Sequence, residues 1–333
     1  MLRKILIFIG NVTLGVSLVL LGIWVYVAQP SFRSSERLDL DVNEARLQEV
    51  VKTLSIDFHP RNFRSTKNPE KTVAYLVGHF EQAGGSVETQ EFEVGGTNYQ
   101  NIRCFFGDKS KPRFVIGAHY DSHDQTPGAD DNASGVAGLV ELAYLLGRTA
   151  LSNCMELVAY PLEEPPIFAT TKMGSYVHAA SLKRENANVS GMIALKMIGY
   201  FSEEFGSQSY PSPLLYLLYP KTGNFIAVAG NLNQRSYIAR VKRGMKGTSD
   251  LKVYSIAAPQ QLPGIDFSDH RNYWAFGYPA VMVTDTAFYR NRAYHTANDT
   301  WDRLDYTKMA DVVRAVYHFA VKCSTVARNK SHL

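Results

Sequence analysis

Hydrophobic residues in this chain fall into runs of three kinds. The first is one long run, Ile5 to Ala28, 24 residues without a charge. At about 1.5 Å rise per residue, a helix of this length covers a bilayer core of about 30 Å. Arg3 and Lys4 precede the run, and Trp24 and Tyr26 lie near its far end, as in an interfacial aromatic belt. The pattern predicts an uncleaved membrane anchor over 5–28. Residues 1–4 are then a cytoplasmic stub, and everything downstream is extracytoplasmic. A cleaved signal peptide is the competing reading, but Tyr26 and Ala28 make a poor cleavage pair. Residues 29–42 are polar and read as a linker.

The second kind repeats with helical spacing. Ala45, Leu47, Val50, Val51 and Leu54 mark one helical region, ended by Pro60. Val73, Leu76, Val77 and Phe80 mark a helix over 72–83, stopped by Gly84 and Gly85. Val136, Leu139, Val140, Ala143 and Leu146 predict a helix over 134–147 with Asn132 as its cap. Further helices fit near 172–184, 232–244 and 307–321. The third kind is short. Residues 87–94 alternate like a half-buried strand, and 101–106 and 113–119 follow. Residues 155–161, 191–195, 225–230 and 279–285 are apolar runs bounded by turn signals, as in strands covered on both faces. Strands alternating with helices predict an α/β fold: a three-layer sandwich whose mixed, mostly parallel central sheet is flanked by helices. One domain over 43–325 holds it, with a tail at 326–333.

Composition narrows the class. The chain has 333 residues, 45% hydrophobic and 20% charged, which suits a packed core. The formal charge of +4 contains no basic run, so no nucleic-acid partner is expected. Cys104, Cys154 and Cys323 are odd in number and far apart, and read as buried free thiols.

In such sheets chemistry collects at the carboxyl ends of strands, and the polar clusters fall there. "GAHYDSHDQTPGADDNASG" (117–135) brings His119, Asp121, His123, Asp124, Asp130 and Asp131 after a strand. "YPLEEPP" (160–166) brings Glu163 and Glu164, and the two prolines exclude an exposed helix face. "YHTANDTWDRLDY" (294–306) brings His295. Each alone is ordinary: a solvated turn, surface charge, a loop histidine. Together, imidazole and carboxylate donors on loops suit zinc.

These segments, with "MIGY", "SDH", "GYPAVMVTDT" and "YHT…DT.D.LDY" in order, resemble the co-catalytic zinc aminopeptidase family (peptidase family M-twenty-eight) over roughly residues 40–322. The resemblance implies a zinc-peptidase type of fold, a zinc peptidase-like catalytic domain and peptide substrates. Residue by residue it implies His119 as a ligand of metal one, Asp121 as the carboxylate orienting that histidine, and Asp130 as the carboxylate bridging two metals. A cis peptide is implied between Asp130 and Asp131. Glu163 is implied as general base, with Glu164 and His295 as ligands of metal two. Asp269 and His270 in "FSDH" would brace the floor, and His123 would be merely solvated. Phe288, Tyr289, Tyr200 and Phe201 are candidates to line a side-chain pocket.

The remaining metal-one position, in "ALKMIGY" (194–200), is Lys196. An ammonium has no lone pair for a metal. The expectation is that Lys196 stands in for metal one and pairs with Asp130, leaving one zinc on Asp130, Glu164 and His295. Two zincs are the alternative. The function so implied is a membrane-anchored metalloprotease of aminopeptidase type, using metal-activated water and Glu163. The alternatives are an impaired homologue acting as a binding protein, and a glutaminyl cyclase, since those relatives share the fold and use one zinc.

Overall fold

The computed structural model describes residues 2–32, 35–65 and 67–325. The tail at 326–333, Met1 and the thiol of Cys323 lie outside the described residues. The chain opens with helix α1 (Leu2–Ala28), followed by α2 (Glu44–Lys52) and α3 (Lys67–Gln82). Strands β1 (Ser86–Val94), β2 (Thr97–Phe106) and β3 (Arg113–His119) come next, then α4 (Gly135–Leu146), β4 (Cys154–Tyr160), α5 (Gly174–Arg184) and β5 (Val189–Leu195). The chain closes with β6 (Phe225–Asn231), α6 (Arg235–Met245), β7 (Lys252–Ala258), α7 (His270–Ala275), β8 (Ala280–Thr284) and α8 (Tyr306–Thr325). Strand β7 and helix α7 are additions to the sequence expectation.

The strands form one sheet in the order β1-β2-β4-β3-β5-β8-β6-β7. Strands β4, β3, β5 and β8 run parallel, as do β6 and β7, while β1–β2, β2–β4 and β6–β8 are antiparallel. The mixed, mostly parallel three-layer sandwich is therefore the architecture found. Alternation along the central strands splits the core in two. Val115, Val158, Met192 and Ala194 pack under Ala179 and Leu182 of α5 and Tyr273 of α7. Ile116, Leu157, Ile193 and Val281 face the other layer, with Leu47, Leu139 and Val313 from α2, α4 and α8. Helix α4 is apolar on nearly every side because it lies between α2, α8 and the sheet.

Two features place the site. Because β3, β4, β5 and β8 are parallel, their carboxyl ends, and the residues after them, share one rim. Gly128 has φ +60, and a Cβ there would lie 2.4 Å from the Asp131 carbonyl oxygen, so the turn into 129–134 needs glycine.

Asn132 does not cap α4. Its peptide bond to Asp131 is cis, its Nδ2 donates to the Leu195 carbonyl at 2.9 Å, and its Oδ1 accepts from Met197 N at 2.9 Å. The side chain ties the loop after β3 to the loop after β5.

A candidate metal centre with a buried ammonium

His119 ends β3, Glu163 and Glu164 follow β4, and Lys196 follows β5. His295 comes from the segment after β8. Lys196 is 3% exposed. Its Nζ lies 2.5 Å from Asp131 Oδ1, 2.9 Å from His119 Nε2, 3.3 Å from Glu163 Oε2 and 3.7 Å from Glu164 Oε1. Burial alone would lower its pKa, but Asp131, Glu163 and Glu164 carry it well above the ordinary lysine value. The amine is therefore a buried cation.

The aspartate that faces it is Asp131, not Asp130. The Asp130 carboxylate points elsewhere, accepting from Gly199 N at 3.0 Å and Asn291 Nδ2 at 2.8 Å. Burial and the neighbouring Asp285 push the Asp130 carboxyl well above the usual carboxylate range. The two adjacent backbone N–H groups of Asp130 and Asp131 both donate to Asp299, at 2.9 and 3.0 Å, which fixes which way each side chain turns. The cis peptide lies at Asp131–Asn132, one bond later than the resemblance implied.

Asp121 sits 3.3 Å from His119 Nδ1 and also accepts from Glu163 N at 3.1 Å and Glu164 N at 2.9 Å. It thus orients both the histidine and the glutamate pair. Glu163 is raised to about 8, chiefly by burial, with Lys196 and His119 opposing and Glu164 and Asp269 adding to the rise. Asp269 is buried with both oxygens unpartnered, and burial pushes it up to about 6. His270 is buried with Nε2 against the Ile265 carbonyl at 2.8 Å, a structural role.

His295 Nε2 lies 3.2 Å from Asp131 Oδ2 and 3.2 Å from Glu164 Oε2, yet makes no hydrogen bond. Both Asp131 oxygens and Glu164 Oε1 likewise make no hydrogen bond, although Asp131 Oδ1 and Glu164 Oε1 are ion-paired with Lys196. Ligands at about 2.0–2.1 Å from a tetrahedral zinc are about 3.3 Å apart, so this triad fits a zinc in donor type and in the two separations from His295. His119, Asp131 and Glu164 also present ligand atoms within 4.8 Å of one another, but the Lys196 ammonium touches all three of those residues. In the group Asp131, Glu164 and His295 the oxygens nearest His295, Asp131 Oδ2 and Glu164 Oε2, are distinct from those paired with Lys196, which leaves this the more open of the two groups.

The His295 ring is clamped between His123, at a centroid distance of 3.8 Å, and Tyr294 at 3.7 Å, both nearly parallel to it. His123 is therefore a support of the site rather than a solvated loop residue. Arg61, which carried no sequence signal, is fully buried and donates to the carbonyls of Leu54, Tyr120, Pro127 and Gly128, locking the loop after β3. Asn291 and Asp299 also escaped the sequence reading, although Asp299 lies inside the "ANDT" segment.

An apolar cleft of about 800 Å³, counting its open mouth, leads to Lys196. Phe288 and Tyr289 line it, as expected, with Tyr294, Leu215, Ile256 and Leu262. Tyr200 and Phe201 do not. Tyr200 N donates to Asp285, and the Phe201 ring lies near Arg290 and Lys308.

The chain is 48% identical over 279 residues to the Escherichia coli protein named "Uncharacterized protein YfbL", covering 81% of this chain and 85% of that one. It is 25% identical over 293 residues to Leucine aminopeptidase 1 of Ajellomyces capsulatus, covering 82% and 69%. The glutaminyl cyclase of Porphyromonas gingivalis superposes with a TM-score of 0.63 at 18% identity, over 85% of this chain and 99% of that one, a likeness of fold alone. Residues 102–320 match Peptidase family M28, more than half of the sequence, and with the histidine and carboxylates gathered on one sheet rim the chain belongs to that family.

Proposed function

We propose that this chain is a membrane-anchored exopeptidase, of the aminopeptidase-like kind, that holds one zinc on Asp131, Glu164 and His295 and carries the ammonium of Lys196 where its relatives hold another metal. The observation that supports this most directly is the position of Lys196 Nζ, within hydrogen-bond distance of both His119 Nε2 and Asp131 Oδ1. Zinc held by Asp131, Glu164 and His295 would supply a Lewis acid able to polarise an amide carbonyl and acidify water.

The chain's own residues do the rest. Glu163 takes a proton from the attacking water and returns it to the leaving nitrogen. Lys196, 3.3 Å from Glu163 Oε2, favours the ionised form needed to accept that proton. Asp121 holds Glu163 and Glu164 by their backbone N–H groups, so base and ligand stay in register. His123 and Tyr294 keep the His295 ring from rotating.

Helix α1 supports the anchor. Leu6–Ala28 is long and apolar enough to cross a membrane. Its last carbonyls accept from Lys242 and Ser255 of the domain, contacts that a cleaved leader would leave unmade.

Metal counting on the full-length protein in detergent tests the reading. About one zinc per chain is expected for the wild type and about two for Lys196→Glu, which restores a carboxylate ligand. Two in the wild type overturns the substitution, and none, with no amide hydrolysis, favours the binding-protein alternative.

A further inference from the structure

The end of helix α1 is docked to the domain. Lys242 Nζ donates to the carbonyls of Ala28 and Gln29 at 2.8 and 2.9 Å, and Ser255 Oγ donates to that of Ala28 at 2.8 Å. Arg235 lies over the Tyr26 ring at 3.7 Å. Past the helix, Ser35 N donates to the Lys246 carbonyl at 2.7 Å and Leu38 N to that of Thr248 at 3.0 Å. The chain therefore stays bound to the domain on leaving α1, and the domain has a set orientation relative to the helix.

Docked in this way, the last turns of α1 run beside the domain. Val19, Ile23 and Tyr26 line a groove of about 970 Å³, counting its open mouth, together with Leu215, Ile256 and Leu262. A span needs about 30 Å of apolar helix. Leu6–Ala28 supplies about 34 Å at about 1.5 Å per residue. An apolar layer that stopped short of Val19, clear of the domain, would cover only Leu6 to Leu18. That is about 20 Å, too short to cross. Helix α1 can span only with the flank of the domain beside Val19 and Ile23 inside the apolar layer.

The residues of that flank suit the position. Residues 205–220 and 253–265 contain no charged side chain. Pro213–Leu217 is a 3₁₀ turn, in which residues three apart stand on the same side. Leu214 and Leu217 are so related, and they are 71% and 78% exposed. Two adjacent leucines projecting this far from a domain beside a spanning helix match acyl chains rather than water. Arg235, by contrast, sits at the last turn of α1 with Tyr26, the level at which aromatic and basic side chains meet headgroups.

We propose that the turn Pro213–Leu217 inserts into the bilayer and, with α1, seats the domain on it. Leu214 and Leu217 lie among the acyl chains of the extracytoplasmic leaflet, and Arg235 lies at its headgroups. The partner of this surface is lipid. The proposal rests on the membrane-anchored reading above and specifies how the domain sits. Edge strand β7, against α1, is at the membrane, and β1, at the other edge of the sheet, points away from it.

The test uses the full-length protein in phosphatidylcholine vesicles that carry a nitroxide on the acyl chain, a quencher of nearby fluorophores. A cysteine-reactive fluorophore is placed in turn at Leu14→Cys in α1, at Leu214→Cys, at Leu217→Cys and at Glu91→Cys on β1. The unsubstituted chain, whose Cys104 and Cys154 are buried, is the labelling blank. Strong quenching is expected at Leu14, at least about half as much at both Leu214 and Leu217, and none above the blank at Glu91. Quenching at Leu14, with Leu214 or Leu217 quenched no more than Glu91, overturns the insertion and leaves the anchor standing. No quenching at Leu14 overturns both.

Discussion

Strand β4 feeds two buried clusters of charge, and they differ in one respect. Within the strand, Glu156 is closed by its own chain. Arg103 Nε lies at 2.7 Å, His178 Nε2 at 3.0 Å and Arg113 at 3.2 Å, and His178 is held by Tyr273 at 2.7 Å. Just beyond the strand, Asp121, Asp131, Glu163 and Glu164 share a single ammonium, Lys196, and two histidines. The first cluster has cations to spare and the second lacks them. Burial of charge is therefore a poor mark of a site in this molecule. The mark is a deficit of positive charge that the chain leaves open: four carboxylates there share one ammonium and two histidines, whereas Glu156 alone faces two guanidinium groups and a histidine.

The sharpest way to break this comparison is to neutralise one glutamate from each cluster. Glu163→Gln is expected to lower kcat by about 10²–10⁴-fold with zinc content unchanged, because it removes a proton acceptor and leaves the ligands in place. Glu156→Gln is expected to leave kcat per folded molecule within about twofold, since it touches neither ligand nor base. Steady-state kinetics with metal analysis on both variants decides. Equal losses of kcat would mean that the two clusters are not functionally distinct.

Removing the cation instead of a carboxylate tests the deficit itself. Lys196→Met leaves Asp131 and Glu163 buried without their nearest counter-charge, and in chelator it is expected to lose about 3–5 kcal/mol in urea unfolding. Adding zinc is expected to recover more stability in this variant than in the wild type, because vacating the ammonium opens the His119 group as well. A variant that neither loses stability in chelator nor gains more from zinc would show that Lys196 is not electrostatically coupled to the site.

The closed cluster has its own signature. Burial would raise the pKa of Glu156, but His178, Arg103 and Arg113 bring it down to about 2. A depressed carboxylate contributes stability above its unfolded pKa and loses it as pH falls through the folded value. The contribution, on the order of 3 kcal/mol, is thus present above pH about 4.5 and disappears towards pH 2. Glu156→Gln is expected to be less stable at neutral pH by a similar amount and to show a flatter acid limb. Urea midpoints between pH 2 and 6 check it, and an unchanged acid limb would argue against the pairing.

How far the sequence foretold all this follows from what each signal depends on. Apolar runs mark strands buried on both faces whatever their neighbours, so β3, β4, β5, β6 and β8 were legible within a residue or two. β7, "KVYSIAA", lies at the sheet edge, and its buried Ser255 is satisfied by the Ala28 carbonyl at the end of α1, a contact that periodicity does not report. His119, Glu163, Glu164, Lys196 and His295 were legible because each directly follows a strand or stands in a motif whose order is fixed. Arg61 was not, because its value lies in carbonyls that only the folded loop brings together. His123 was misjudged because its role depends on stacking with a residue 172 positions away.

The adjacent pair Asp130 and Asp131 marks the limit of sequence reading, and it yields the mildest test. Spacing cannot tell which carboxylate turns inward. That is decided by Asp299 gripping both backbone N–H groups and by the non-helical φ of −104 and ψ of 88 at Asp131. Asp131→Asn is expected to abolish zinc retention, since an amide cannot give Lys196 and zinc a shared charge. Asp130→Asn keeps an oxygen for Gly199 N and an N–H₂ for the Asp285 side, at the expense of the Asn291 contact. It is expected to cost about 1 kcal/mol in urea unfolding with zinc content intact. Zinc lost from Asp130→Asn and kept by Asp131→Asn would reverse the assignment, and the ammonium would then face a structural aspartate rather than a ligand.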